Sequence, residues 1–94
     1  MSENVLRDNM EQLIKVELRT LALHTRAKLD LTQTKMGDRY VMSGDSFANI
    51  ESGEYMCGTL TTVLLLNDQE DPTGILKDIT EKLEKIRREE FLQP

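Results

Sequence analysis

Residues 31–53 read LTQTKMGDRYVMSGDSFANIESG, and how this stretch folds decides the rest of the chain. A first short helix is expected over residues 33–40, with Thr32 or Leu31 near its start. Residues 41–43 form a tight turn. Ser43 is a suitable N-cap for the next helix, because its hydroxyl can accept a hydrogen bond from a free backbone N–H. The second helix then covers residues 44–52, and Gly53 supplies the left-handed residue that ends a helix without steric cost. The apolar residues are Met36, Tyr40, Met42, Phe47 and Ile50. Met36/Tyr40 and Phe47/Ile50 have helical spacing, and Met42 plugs the corner between them. Gly37 falls where the two helices cross, where a small residue permits close approach.

Upstream, residues 1–30 contain no helix breaker, and Leu6, Met10, Leu13, Ile14, Leu18, Leu21, Ala22 and Leu29 share roughly one helical face. Ser2 can cap, and Glu3 and Asp8 favour the positive end of the helix dipole. One long helix, or two in near-continuity, is expected over residues 3–29. Downstream, residues 54–58 form a loop. Residues 59–66 make a further helix, with Leu60, Val63 and Leu64 packing inward and Leu65 and Leu66 widening the apolar face. Threonine and β-branched residues there also suit a strand, but a single strand would have nothing to pair with. Residues 67–74, NDQEDPTG, are a linker or turn. Asp71 or Thr73 caps the last helix, and Pro72 fits its first turn. That helix, over residues 73–90, places Leu76, Ile79, Leu83 and Ile86 at spacings of 3, 4 and 3, an a/d seam flanked by Ile75 and Phe91. Glu81–Lys85 and Glu84–Arg88 are glutamate-first i, i+4 pairs that support it slightly.

The expected class is therefore all-α, a bundle of four to five helices. One domain fills the chain's 94 residues: an N-terminal helical extension at 1–17, a core at 18–66, the linker at 67–74 and a C-terminal helix at 75–94. Cys57 is the one cysteine, so no intrachain disulfide forms, which fits a reducing, cytoplasmic setting. No N-terminal run resembles a signal peptide, since Val5–Leu6 is followed at once by Arg7–Asp8. The longest apolar run, residues 63–66, is far short of a membrane span. The net charge is −5, unevenly spread. Residues 1–14 are net −2, residues 15–39 net +3, residues 40–71 net −6 with no Lys or Arg, and residues 72–94 neutral. Enzyme chemistry has little to stand on. His24, the single histidine, has no Cys or carboxylate at metal-ligand spacing and reads as solvated or packed. Cys57 reads as a structural thiol. No phosphate-cradling glycine motif is present, and the acids of 40–71 lack calcium-loop spacing. No cofactor and no metal are expected.

Gln33, the Met36–Gly37 pair, Met42, Ser43, Phe47, Ile50 and the Glu51–Ser52–Gly53 ending resemble the Cro/phage-repressor (XRE-like) helix-turn-helix over roughly residues 18–66. In that family a Leu-Ala pair stands at the Met36–Gly37 position, and an E-x-G ends the second helix. A first-helix Arg, here Arg26, lies 25 residues before the Glu. The family usually has Gly where Val41 stands, because that residue takes φ > 0. A β-branched residue there is an outlier, so the turn is expected to differ in detail. The segment after Gly53 is one residue longer than usual before the apolar run resumes at Leu60.

The resemblance implies a transcriptional regulator that binds double-stranded DNA sequence-specifically as a homodimer. Its second short helix would enter the major groove. Carried over by position, Ser43, Gly44, Asp45, Ala48 and Asn49 would face bases. Asn49 suits adenine and Asp45 the amino group of cytosine. Gln33 matches a phosphate contact, Lys28, Lys35 and Arg39 supply charge, and Ser52 and Tyr55 add polar contacts. Arg26 and Glu51 read as a structural pair tying the first helix to the end of the second short one, with DNA contact by Arg26 as the alternative. The seam of Leu76, Ile79, Leu83 and Ile86, with the apolar face of residues 6–14, is expected to meet a second chain. The alternative is that the last helix folds back on the N-terminal extension. Against DNA stands the absence of any basic residue from the second short helix. The competing function is a non-enzymatic protein-interaction module, antirepressor-like or antitoxin-like.

Overall fold

The structure is a computed structural model and describes residues 3–92, with side chains for residues 3–89. The Ser2 cap and the flanking side chain of Phe91 lie outside the described residues. Among these residues the fold is all-α: α1 (Glu3–Leu29), α2 (Gln33–Arg39), α3 (Gly44–Glu51), α4 (Thr59–Asn67) and α5 (Pro72–Leu92). The 27 residues of α1 run roughly 40 Å at 1.5 Å per residue. The helix ends at Asp30, whose φ is +54°, a left-handed setting that Asp tolerates better than most residues. No described helix is long and apolar enough to cross a membrane.

The α2–α3 pair is set by two side-chain caps. Thr32 Oγ1 accepts from the Lys35 N–H at 3.2 Å, and Ser43 Oγ accepts from the Ser46 N–H at 3.0 Å. Between the helices the backbone does not leave the left-handed region to suit Val41. That residue has φ +61°, and the Met42 N–H donates to the Gly37 carbonyl at 2.9 Å to close the turn. The Val41 side chain is 78% exposed, so no packing offsets the steric cost of its conformation. The closure brings the turn onto Gly37. A Cβ there would lie 2.7 Å from Met42 O and 2.8 Å from the carbonyl carbon of Ser43.

The core gathers Leu18 and Ala22 from α1, Met36 and Tyr40, Phe47 and Ile50, Cys57, and Leu65 from α4, with Met42 half-buried against it. The Tyr40 and Phe47 rings stack with centroids 6.0 Å apart. Full burial of side chains of this size contributes roughly 1.5–3 kcal/mol each. α4 forms as a helix, but its inward face is Thr61, Leu65 and Leu66. Leu60 and Val63, expected to pack inward, are 61% and 58% exposed. The segment TLTTVLLLN spreads its apolar residues and its threonines around the helix, so its periodicity carries no facing information. The tie that selects the face lies elsewhere, at its C-terminal end.

There, residues 68–71 join α4 to α5 as a short turn segment. Asp68 accepts from Arg39 Nε at 2.8 Å and from the Tyr40 hydroxyl at 2.6 Å, with a second bond from Arg39 Nη2. Gln69 Nε2 donates to Thr25 Oγ1 and to the Leu65 carbonyl, each at 2.8 Å. The end of α4 is thus fastened to α2 and to α1. Asp71 Oδ1 accepts from the Gly74 N–H at 3.1 Å, which starts α5 immediately. α5 then packs back on α1 within the same chain, and Lys82 Nζ reaches Glu17 Oε1 at 2.6 Å. Ile79, expected at a seam open to a second chain, is buried at 8% exposure, whereas Leu76 is 47% exposed. Leu83 and Ile86 are half-buried. Ile79 is the one seam residue that reaches full burial, close to the Lys82–Glu17 pair that ties α5 to α1.

Two substitutions test the turn. Val41→Gly removes a left-handed β-branched residue that costs roughly 1–2 kcal/mol, partly offset by the greater freedom of glycine in the unfolded chain. Urea unfolding should therefore show a net gain of about 1 kcal/mol. Gly37→Ala drives a methyl into backbone and should lose about 1–3 kcal/mol by the same measurement. A third test concerns Asp68, whose carboxyl Arg39 holds below the usual aspartate value. A depressed folded pKa gives stability that is full above the unfolded value of about 3.9 and fades as pH falls through the folded one. Asp68→Asn should consequently show a shallower loss of thermal midpoint between about pH 4 and pH 2 than the parent chain.

Candidate nucleic-acid interface

The centre of the α2–α3 unit is a buried acid. Glu51, the last residue of α3, is 5% exposed. Its Oε2 accepts from Arg26 Nε of α1 at 2.7 Å, and its Oε1 accepts from Gln33 Nε2 at the start of α2, also at 2.7 Å. Its backbone carbonyl accepts from Arg19 Nε of α1 at 2.7 Å. Two cations and an amide from two helices therefore fix the end of α3. Charge-assisted bonds of this length are roughly twice as strong as neutral ones, and the carboxylate is left with few unmet bonds at a site closed to water. The side chain of Arg26 is 35% exposed and is engaged with the acid.

With that end fixed, the outer side of α3 carries Asp45, Ala48 and Asn49, with Ser52 at its C-cap. Asp45 and Ser52 are exposed, and Ala48 and Asn49 are half-buried. The Asn49 carbonyl is crowded, accepting from the Glu54 and Tyr55 N–H groups and from Ser52 Oγ. No hydrogen bond to the Asn49 side-chain amide occurs among the described residues, so its paired donor and acceptor are available. Tyr55, 57% exposed, follows in the loop. Gly44 faces inward at the helix crossing, where a Cβ would lie 3.0 Å from Thr34 Cα. Ser43 Oγ is occupied by the cap and donates to Ser46 Oγ at 3.0 Å. These two positions serve the crossing and the cap.

The cations divide in the same way. Arg39 gives its guanidinium to Asp68, and that partner raises its pKa further. Lys28 Nζ lies 3.4 Å from Glu70 Oε1. Lys35 is exposed and has no ion pair among the described residues. Gln33 spends one N–H on Glu51 and keeps the other. Tyr40 is held protonated by burial and by its bond to Asp68. Burial pushes the Cys57 thiol up, away from the reactive thiolate, and His24 is exposed. Among the described residues no group of three or more His, Cys, Asp or Glu side chains is placed to hold a metal ion.

Three residues that organise this unit carried no expectation: Arg19, Asp68 and Gln69. Arg19 had a signal, since it stands seven residues before Arg26 and so shares its helical face. Asp68 and Gln69 had none, because they sit in a polar segment whose partners are 28 and 44 residues away.

The Glu51 cluster makes an asymmetric prediction. Arg26→Leu strands a carboxylate that is nearly closed to water, and it should cost about 3 kcal/mol or more in urea unfolding. Glu51→Gln keeps a neutral acceptor for Arg26 and removes the buried charge, so its cost should be under half of that. Equal losses would show that the carboxylate is better solvated than its 5% exposure implies. Compared with known proteins, the chain matches no family model, no curated protein and no solved structure.

Proposed function

We propose that the chain is a small, non-enzymatic, cytoplasmic transcriptional regulator that binds double-stranded DNA as a homodimer. In this reading α2 and α3 are a helix-turn-helix of the Cro/phage-repressor type. The observation that carries the reading is the α2–turn–α3 unit closed on Glu51. It has a capped Ser43 start, a left-handed turn residue and an end of α3 pinned by Arg26 and Gln33. Such fixing leaves the outward side of α3 as a rigid platform for a groove. Asn49 is the base reader, since a free amide matches the adjacent acceptor and donor of adenine. Lys35, the exposed cation on α2, and the second N–H of Gln33 contact phosphates.

A second reading has its own support. α3 carries Asp45 and no Lys or Arg, and two of the three nearby cations are already neutralised by Asp68 and Glu70. Phosphate contacts normally supply most of the affinity for DNA. A platform so short of free cations also suits a protein partner, which would make the chain an interaction module of antirepressor or antitoxin type.

Selection on random duplex DNA followed by fluorescence anisotropy separates the two. On the selected duplex, Asn49→Ala should lose about 1–3 kcal/mol of discrimination at one base pair. Lys35→Ala should weaken every sequence alike and reduce the salt slope by about one. Absence of duplex binding by the unaltered chain at about 50 mM salt, where electrostatic attraction is strong, would sink the DNA reading and leave the protein-partner reading.

A further inference from the structure

The first half of α1 has contacts on two sides. On one it forms a hairpin with α5, tied by Lys82 and Glu17. On the other it carries Gln12, Lys15, Val16 and Arg19, neighbours on one helical stripe. A cleft of about 180 Å³ lies between these four residues and Ser52 and Gly53 at the end of α3. Arg19 is fixed in this cleft. Its Nε donates to the Glu51 carbonyl at 2.7 Å, and its stem passes Gly53, where a Cβ would lie 3.5 Å from Arg19 Cδ. A guanidinium carries five N–H donors. The four on its Nη atoms have no acceptor among the described residues.

Lys15, half-buried on the same stripe, has no ion pair among the described residues. The acids close to the cleft are engaged elsewhere. Glu11 is bound to Arg7, Glu17 to Lys82, and the Glu51 carboxylate to Arg26 and Gln33. Glu54, exposed in the loop, pairs with neither cation. Asp8, on the same stripe, stands roughly 10 Å along the axis from Lys15. Two cations therefore share one cleft without a counter-charge, and one of them is already oriented. Phosphate suits the pair, since a guanidinium fork takes two of its oxygens and an ammonium adds a point charge.

The position of the cleft says which phosphate. Ser52 caps α3 one turn beyond Asn49. At the other end of α3, Gly44 meets Thr34 beside Gln33 and Lys35. Two sets of donors thus bracket a helix of eight residues, roughly 12 Å long. The major groove is about 12 Å wide, with a sugar–phosphate backbone along each edge. We propose that Lys15 and Arg19 form a second phosphate site, which takes a backbone phosphate on the opposite edge of the groove from Lys35. The inference rests on the DNA-binding reading and deepens it.

Lys15 is the residue to change, because Arg19 also holds the Glu51 carbonyl. By fluorescence anisotropy, Lys15→Gln should weaken every duplex several-fold and reduce the salt slope by about one. Discrimination at the base pair read by Asn49 should stay the same, and circular dichroism should stay helical. Lys77→Gln removes an equally unpaired, exposed cation from α5 and should leave binding unchanged. Replacing backbone phosphates one at a time by neutral methylphosphonate should locate one position where the unaltered chain loses affinity and Lys15→Gln loses none further. That position should differ from the one coupled in the same way to Lys35. Equal losses from Lys15→Gln and Lys77→Gln, or no such position, overturn the inference and leave the DNA reading standing. If the unaltered chain binds no duplex, inorganic phosphate becomes the probe, followed by nuclear magnetic resonance. A saturable shift of the Arg19 Nε–H and Gly53 N–H signals, lost in Lys15→Gln, then keeps the phosphate site and removes only the DNA reading. No shift overturns both.

Discussion

The carboxylate of Glu51 is the contact on which the arrangement of the helices depends. An acid at 5% exposure is tolerable only when its bonds are met. Here the donors come from α1 and α2, while the acid itself closes α3. None of the three helices can rotate about its axis without breaking a charge-assisted bond at that point. α2 and α3 have seven and eight residues, too short to be stable alone. Their geometry is borrowed from the long α1 through Arg19 and Arg26.

The same principle accounts for the uneven charge along the chain. In sequence, residues 15–39 are net +3 and residues 40–71 net −6. In the folded chain they answer each other: Arg26 with Glu51, Arg39 with Asp68, Lys28 with Glu70. Much of the positive charge that a nucleic-acid face would want is used to hold the unit together. What is left outward on α2 and α3 is small and specific, chiefly Lys35 and the amide of Asn49.

Packing quality falls along the long axis of the molecule, whose extents are 48 × 26 × 19 Å. Around Met36, Tyr40, Phe47 and Leu65 the side chains are almost entirely enclosed. Toward the free end of the hairpin no described apolar residue is. There the two helices are held together by half-covered apolar residues and a Lys82–Glu17 pair.

The sequence by itself determined the five helices and most of their limits. Caps, breakers and 3.6-residue spacing are local properties, and the chemistry of Thr32, Ser43, Gly53 and Asp71 acts within one turn of the chain. It also made Arg26 and Glu51 legible as a pair, through a spacing that a known pattern shares. Tertiary structure alone decided which side of α4 turns inward, since leucines and threonines are spread around that helix without a preferred face, and Asp68 and Gln69 fasten the side that is chosen. Only the fold gave Arg39 to Asp68 rather than to solvent and turned Gly44 toward Thr34. Only the fold spent Ile79 on the chain's own α1. Each of these is a contact between residues far apart in the chain. Their outcome depends on which competing partner lies closest once the helices have packed, and no local spacing records that.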